Sequence, residues 1–256
     1  GGTNFNTITQ DPPAVITLQW ADPQGGSSND YDLFLLNSSN TVVFDSSTNV
    51  QNGNDDPFER IDSFGFDDTN NNLVIIKSAG AGRFLHLNTI RGRLAFATKG
   101  QTGGHSTAAD AFGVAAVNVA TAGGGGFSGG AANPVETFSS DGPRRIFFTP
   151  NGVPITPGNF SSTGGTVRQK PDIAAADGVR TATPGFNPFF GTSAAAPHAA
   201  AIAALLKDVG NPTPAGLEQI FAHTALDIEA SGFDRDSGWG LLDAEAAGVT
   251  VPAFAK

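Results

Sequence analysis

The sequence predicts a chain of two characters, an all-β segment over residues 1–93 and an α/β segment over residues 94–256. Three observations carry this. Short apolar runs separated by polar turn residues fill the first segment. No stretch there has helical apolar spacing. From about residue 94 Ala-rich helical segments alternate with short apolar runs, the pattern of a mostly parallel sheet with flanking helices.

The strands of the first segment are read in order. Val15-Ile16-Thr17-Leu18-Gln19-Trp20 lies between Pro12-Pro13 and Asp22-Pro23. Tyr31 to Leu36 is next, closed by the turn cluster Asn37-Ser38-Ser39-Asn40 and followed by Thr41 to Phe44. Asn52-Gly53 marks a further turn, and Leu73 to Lys77 and Phe84 to Leu87 complete the set. Such a series predicts a small β-sandwich. In the second segment Thr107 to Val117 reads as a helix leading into the short strand Gly113 to Val117. Asp172 to Ala176 reads as a short buried strand. Ser193 to Lys207 and Pro214 to Phe221 read as helices. Gly123 to Gly126 is a flexible loop and not a phosphate loop, because no Lys-Ser/Thr pair follows it.

Composition excludes several functions. Lys plus Arg is 14 and Asp plus Glu is 24, a net charge of −10. Nucleic acid and anionic membrane surfaces both select clustered cations, so neither is expected as a partner. No cysteine is present, which removes disulfides, thiol catalysis and cysteine-based zinc sites. Gly is 33, Pro is 16 and 15% of residues are charged, yet 39% are hydrophobic, so the chain is loop-rich but can bury a core. This balance fits a secreted protein. Ala194 to Leu206, the longest apolar run, contains Pro197 and His198 and is too short to span a bilayer. Methionine is absent, including at position 1, so the expectation is a processed product or a fragment.

The segment that carries chemistry is Gly191-Thr192-Ser193-Ala194-Ala195-Ala196-Pro197-His198. Small residues surround one serine and a helix follows directly. Ser193 then stands at a helix N-terminus, where backbone N–H groups are unpaired and the dipole is positive. An oxyanion formed during acyl transfer is stabilised at such a place. Pro197 removes one helical hydrogen bond and crowds the carbonyl four residues back, that of Ser193 itself. A bare Thr-Ser before a helix is more simply an N-cap. The full string changes that balance, because it resembles the nucleophile motif of the subtilisin-like peptidases, Gly-Thr-Ser-x-x-x-Pro-His.

The resemblance extends further. Gln169 to Val179 is similar to the strand and loop that precede the nucleophile in this family, with Ala176 where proline is usual. Phe138-Ser139-Ser140-Asp141-Gly142-Pro143 is similar to the family's Phe-Ser-Ser-x-Gly-Pro segment. Thr224-Ala225, and then Gly232 through Ala244, resemble the closing segment of the fold. The match runs from about Leu94 to Thr250. It implies an incomplete subtilisin-like α/β fold, a serine endopeptidase acting on protein or peptide substrates, and Ser193 as nucleophile with Gly191 and Thr192 beside the oxyanion. Residues 1–93 then look like a β-sandwich inserted in the catalytic domain.

A nucleophilic serine needs a histidine base and a carboxylate to orient it. In the family the order is Asp, His, Ser. Of the four histidines, His198 lies five helical positions from Ser193 and is turned away, which fits a packed, hydrogen-bonded side chain. His105, in Gly104-His105-Ser106-Thr107-Ala108-Ala109, departs from the family's His-Gly-Thr-x-Val-Ala. His86 lies in the β-rich segment and His223 follows the serine. Asp236-Ser237-Gly238 has the letters of an Asp motif but sits in the closing segment, and Asn118 and Asn133 come too late for the oxyanion asparagine. The expectation is that Asp, His and oxyanion Asn come from an upstream part of the same polypeptide. A non-catalytic adhesion or binding protein and another serine hydrolase, such as an esterase, are the rival readings.

No cofactor is required by this chemistry. Asp22, Asn29, Asp30 and Asp32 cluster around a turn, and oxygens of this kind suit Ca²⁺, with Asp22, Asp30 and Asp32 as candidate ligands. A solvated turn of an acidic protein is the stronger reading of the same residues. Trp20, Tyr31, Phe34 and Phe44 at strand spacing read as core before they read as a binding platform.

Overall fold

The computed structural model describes residues 3–10 and 14–251, so Pro12 and Pro13 lie outside the described residues. The N-terminal segment forms β1 (Asn6–Gln10), β2 (Val15–Trp20), β3 (Asp30–Leu36), β4 (Val43–Ser47), β5 (Phe58–Asp62), β6 (Asn72–Ala79), β7 (Leu85–Ile90) and β8 (Arg93–Leu94). Then follow β9 (Val114–Asn118), β10 (Arg144–Ile146), β11 (Thr166–Arg168), β12 (Ile173–Asp177), α1 (Thr192–Gly210), α2 (Pro214–Thr224) and α3 (Ala244–Thr250). Two compact units result, Gly1–Thr98 with Arg145–Val167, and Lys99–Arg144 with Arg168–Lys256.

The first unit holds two antiparallel sheets, ordered β4-β3-β6-β1-β8 and β5-β2-β7. Their inward faces are written in the sequence with period two. Ile16, Leu18 and Trp20 point inward from β2, and Tyr31, Leu33 and Leu35 from β3. They meet Ile8, Ile61 and Leu73 in one buried cluster. Each such aliphatic side chain contributes about 1.5–3 kcal/mol on burial. The Trp20 and Tyr31 rings lie 5.2 Å apart in this core. Phe34 is half-buried, and Phe44 is 58% exposed on the outer strand β4, so the four aromatic residues do not form one core group. The strand expected at Thr41–Phe44 forms two residues later, because Asn37 Oδ1 accepts the Thr41 and Val42 N–H groups and keeps them in the turn.

A buried polar knot ties this unit. Asp22 accepts hydrogen bonds from Asn29 Nδ2, from Ser27 Oγ at 2.9 Å and from Arg83 Nε at 2.6 Å. Ser27 Oγ in turn accepts from Trp20 Nε1 at 2.9 Å. Asn29 Oδ1 takes the Ala81 N–H, and a Cβ on Gly80 would lie 2.4 Å from that same oxygen. Gly80, at φ +81°, therefore answers both a conformational and a steric demand. Burial pushes the Asp22 carboxyl up, but the bonds from Asn29, Arg83 and Ser27 outweigh it and hold it below its ordinary value.

The second unit is built on a parallel pair, β9 and β12, in register from Ile173↔Val114 to Asp177↔Asn118. The mostly parallel sheet expected of this half is present as these two strands, extended by a parallel bridge between Ala174 and Leu241. Both faces are covered, which explains the unbroken apolar run of β12. Ile173 and Ala175 face Ala195, Ala199 and Leu206 of α1, with Leu217, Ile220 and Phe221 of α2 and Ala247 of α3. Ala174 faces the other way, with Ala115, Val117, Ile228 and Leu241. The helix expected over Thr107–Gly113 does not form. Only a 3₁₀ turn, Gly104–Thr107, is present, and Gly113 is held with its Cα so close to Ser106 O that a Cβ would stand 3.2 Å from it. Seven residues without an apolar stripe cannot offset helix nucleation there.

Arg83→Ala would leave the Asp22 carboxylate buried without its cation, an expected loss of about 3–5 kcal/mol. Chemical denaturation of the protein at neutral pH checks this. Because the folded Asp22 is held below its unfolded value of 3.8, the knot's contribution is complete above that pH. It is lost as pH falls through the lower folded value. The difference between wild type and Arg83→Ala should therefore shrink in acid.

Candidate active site

Helix α1 starts without a side-chain cap. Gly191 precedes it with φ +122° and ψ 158°, a conformation open to glycine alone. Its carbonyl accepts the N–H groups of Ala194 at 2.8 Å and Ala195 at 3.2 Å. No acidic residue stands in the first turn, so the positive end of the helix dipole is uncompensated. Ser193 is exposed at this end, with Thr192 half-buried beside it. Among the described residues the Ser193 hydroxyl has no hydrogen-bond partner. Its N–H likewise finds no acceptor among them, the first-turn bonds to Gly191 beginning at Ala194.

The turn that presents Ser193 is held by strand β12. After Gly178 the chain leaves β12, and Val179 and Phe189 exchange two backbone hydrogen bonds, at 3.2 and 2.8 Å, closing the loop between them. Gly191 N–H then donates to Asp177 Oδ2 at 2.8 Å. Asp177 is fully buried, and its Oδ1 has no partner among the described residues. Burial pushes its carboxyl above the ordinary value, against the opposing pull of the Gly191 N–H. The strand itself is pinned at its start. Lys170, 3% exposed, donates to Asp172 Oδ2 at 2.7 Å and Ala111 O at 2.6 Å. The closing segment is stitched alongside by Trp239 N–H to Asp172 O, Ala174 N–H to Gly240 O and Leu242 N–H to Ala174 O. A Cβ on Gly238 would stand 2.2 Å from Asp172 C, so the segment approaches as only glycine allows.

None of the four histidines is hydrogen-bonded to Ser193. His198 Nδ1 lies 2.7 Å from Ala194 O, a packed helix histidine as its spacing predicts. His223 Nδ1 lies 2.7 Å from Gln219 O near the end of α2. His105 is exposed on the Gly104–Thr107 turn, and His86 lies on β7 in the first unit. Asn118 ends β9 with its Oδ1 bound to Ala120 N–H and its Nδ2 to Glu136 Oε1. Asn133 is buried and binds Ser128, Gly129 and Thr121. Both side chains are thus engaged within their own loops. Asp234, accepting from the Asp236 and Ser237 N–H groups and from Ser237 Oγ, closes a tight turn. Asp177 was not singled out as a functional residue by the sequence. The signal available was its position in Ala176-Asp177-Gly178, directly after the departure from proline at Ala176.

The three calcium candidates have separate partners. Asp22 is paired with Arg83, Asp30 Oδ1 accepts from Gln51 N–H at 3.3 Å, and Asp32 accepts from Ser78 Oγ. Among the described residues no group of three or more His, Asp or Glu side chains gathers as a metal would need. No helix among them is long and apolar enough to cross a membrane.

The chain is similar to known proteins in sequence and in fold. A model of the Subtilase family, Peptidase_S8, matches residues 17–240. Fervidolysin of Fervidobacterium pennivorans is 40% identical over 58 residues, 22% of this chain and 8% of that protein. The structure of the CspB protease of Clostridium perfringens superposes with a TM-score of 0.50 at 16% identity, over 97% of this chain and 55% of that one. The chain thus spans a small part of the first relative and about half of the second.

Gly191→Ala is expected to destabilise the protein by about 1–3 kcal/mol, because an L-residue is strained at that φ. Space is not the cause, since a Cβ would lie 3.7 Å from Ser193 N, an ordinary contact. Urea denaturation measures it, and an unchanged midpoint would show that the turn relaxes.

Proposed function

The chain belongs to the subtilase family, and we propose from that premise that it forms the C-terminal part of the catalytic domain of a secreted serine endopeptidase. The observation that carries the proposal is Ser193. An exposed hydroxyl without a partner among the described residues stands at an uncapped helix N-terminus, inside the family's nucleophile motif. In this reading Ser193 Oγ attacks the scissile carbonyl carbon, and its proton passes to a histidine. The carbonyl oxygen becomes an oxyanion that accepts from the Ser193 N–H. The histidine returns the proton to the amine as the C–N bond breaks, and water releases the acyl group by the same steps in reverse.

The histidine, the aspartate that orients it and the oxyanion asparagine would come from an upstream part of the same polypeptide. Two observations support this. None of the described histidines bonds Ser193. The outer face of α1 is apolar and exposed, at Ala196, Ala200, Ala201, Ala204, Leu205 and Val209, with Leu205 and Val209 each 64% exposed. From Ala196 to Leu205 this face carries no charge, Lys207 and Asp208 entering only in the last turn, and an apolar helix face of that length is normally covered. Residues 1–93 would be a β-sandwich inserted between the upstream elements and the α/β segment that begins at residue 94. Substrates would be proteins or peptides, and the acyl-transfer chemistry is complete without a cofactor. The 15% of charged residues and the net charge of −10 fit a protein working outside the cell.

Labelling with a fluorophosphonate probe tests the proposal. The full-length polypeptide should react, Ser193→Ala should not, and residues 1–256 alone should react slowly or not at all. Peptide hydrolysis should fall by roughly 10⁴-fold or more in Ser193→Ala. Equal labelling of the 1–256 chain would place the base within it. No labelling of the full-length protein would leave a binding protein as the better reading.

A further inference from the structure

Asp177 is fully buried, and the mechanism above gives it no part. A carboxylate in such a place, with one oxygen unbonded among the described residues, is unfavourable for folding, so its presence asks for a reason. Three features of its surroundings point the same way. Its Oδ2 accepts the Gly191 N–H at 2.8 Å. The carbonyl of the same Gly191 accepts the first N–H groups of α1, those of Ala194 and Ala195. The peptide groups on both sides of Gly191 are therefore fixed, one by Asp177 and one by the helix. Gly191 itself, at φ +122°, has no side chain to hold its place.

The anchor is rigid. Asp177 is the last residue of β12, in register with Asn118 of β9. Next to it, a Cβ on Gly178 would lie 2.9 Å from both Asn118 Oδ1 and the Phe190 ring, so the chain is closely packed where it leaves the strand. The chain from Gly191 to Ser193 is two residues long. Displacement of Gly191 is passed on to the serine with little loss.

We propose that Asp177 is a positioning residue for Ser193, its carboxylate clamping the Gly191 N–H and so fixing the turn that presents the nucleophile. The proposal rests on the reading of Ser193 as nucleophile. It asks only for an acceptor at this place, not for a charge. Asn, nearly the same shape, keeps a carbonyl oxygen for Gly191, and Ala removes it.

The test measures fluorophosphonate labelling of Ser193 in the full-length polypeptide at several probe concentrations, separating probe binding from the bond-forming rate. Asp177→Ala is expected to slow the bond-forming step by roughly 10- to 100-fold, the cost of a misplaced reacting group, and to leave probe binding within a few-fold. Asp177→Asn is expected to restore the rate to near wild type. Hydrogen exchange of the peptide spanning residues 186–196 is measured on the same proteins. It should be faster in the Ala variant and unchanged in the Asn variant. A bond-forming rate in folded Asp177→Ala equal to wild type overturns the proposal, as does an Asn variant as slow as the Ala variant. If Asp177→Ala fails to fold, the Asn variant decides, and faster exchange or slower labelling there overturns the clamp. If the wild type is not labelled at all, the peptidase reading falls, and exchange of the 186–196 peptide decides on the clamp by itself.

Discussion

A strand with structure on both faces and both edges must satisfy every backbone N–H and C=O from within the protein. In the C-terminal unit β12 is that strand. One edge pairs with β9 in parallel register, and the other binds Gly240 and Leu242 through Ala174. Its two faces feed two separate clusters, one with the three helices and one with Ile228 and Leu241. Nearly every feature of the site is referred to it. Lys170 and Asp172 lock its start, the closing segment lies along its side, and Asp177 at its end holds the turn before Ser193. A strand fixed in this way cannot slide or tilt without breaking bonds on several sides, and the serine inherits that rigidity.

The first unit solves a different problem with similar means. Its sheets bury a core of aliphatic side chains, but the loops joining β2 to β3 and β6 to β7 bring polar groups inside. Asp22 gathers them, taking bonds from Asn29, Ser27 and Arg83 while Trp20 donates to the Ser27 hydroxyl. The acidic cluster that suggests a cation in the sequence is here divided among partners of its own, and Arg83 supplies the positive charge beside Asp22. A guanidinium whose Cζ lies 4.7 Å from the centre of the Phe160 ring is further steadied there.

How much of this was legible in the sequence follows from the range of the signals. Strands β2, β3, β6 and β7 announce themselves by alternation or by β-branched content, and α1 and α2 by helical spacing and, for α2, by Thr213 and Pro214 at its start. Strands β1 and β5 do not. Asn6–Gln10 and Phe58–Asp62 are polar for most of their length and form only because neighbouring strands offer them ladders. The helix α3 is seven residues long and is fixed by the Asp243 side chain capping Glu245 and Ala246, a local signal too short to weigh. The nucleophile motif was readable because its residues are contiguous. Asp177 was not, because its meaning depends on a contact with Gly191 fourteen positions on.

The central claim is that Ser193 is activated by a histidine from outside the described chain. A crystal structure of the full-length polypeptide carrying a covalent peptidyl phosphonate tests it most directly. The account expects the phosphorus on Ser193 Oγ, a phosphonyl oxygen at the Ser193 N–H, and Nε2 of a histidine from upstream of Gly1 within hydrogen-bond distance of Oγ. An adduct on another residue, or His105 seated beside Ser193 in that histidine's place, would contradict it.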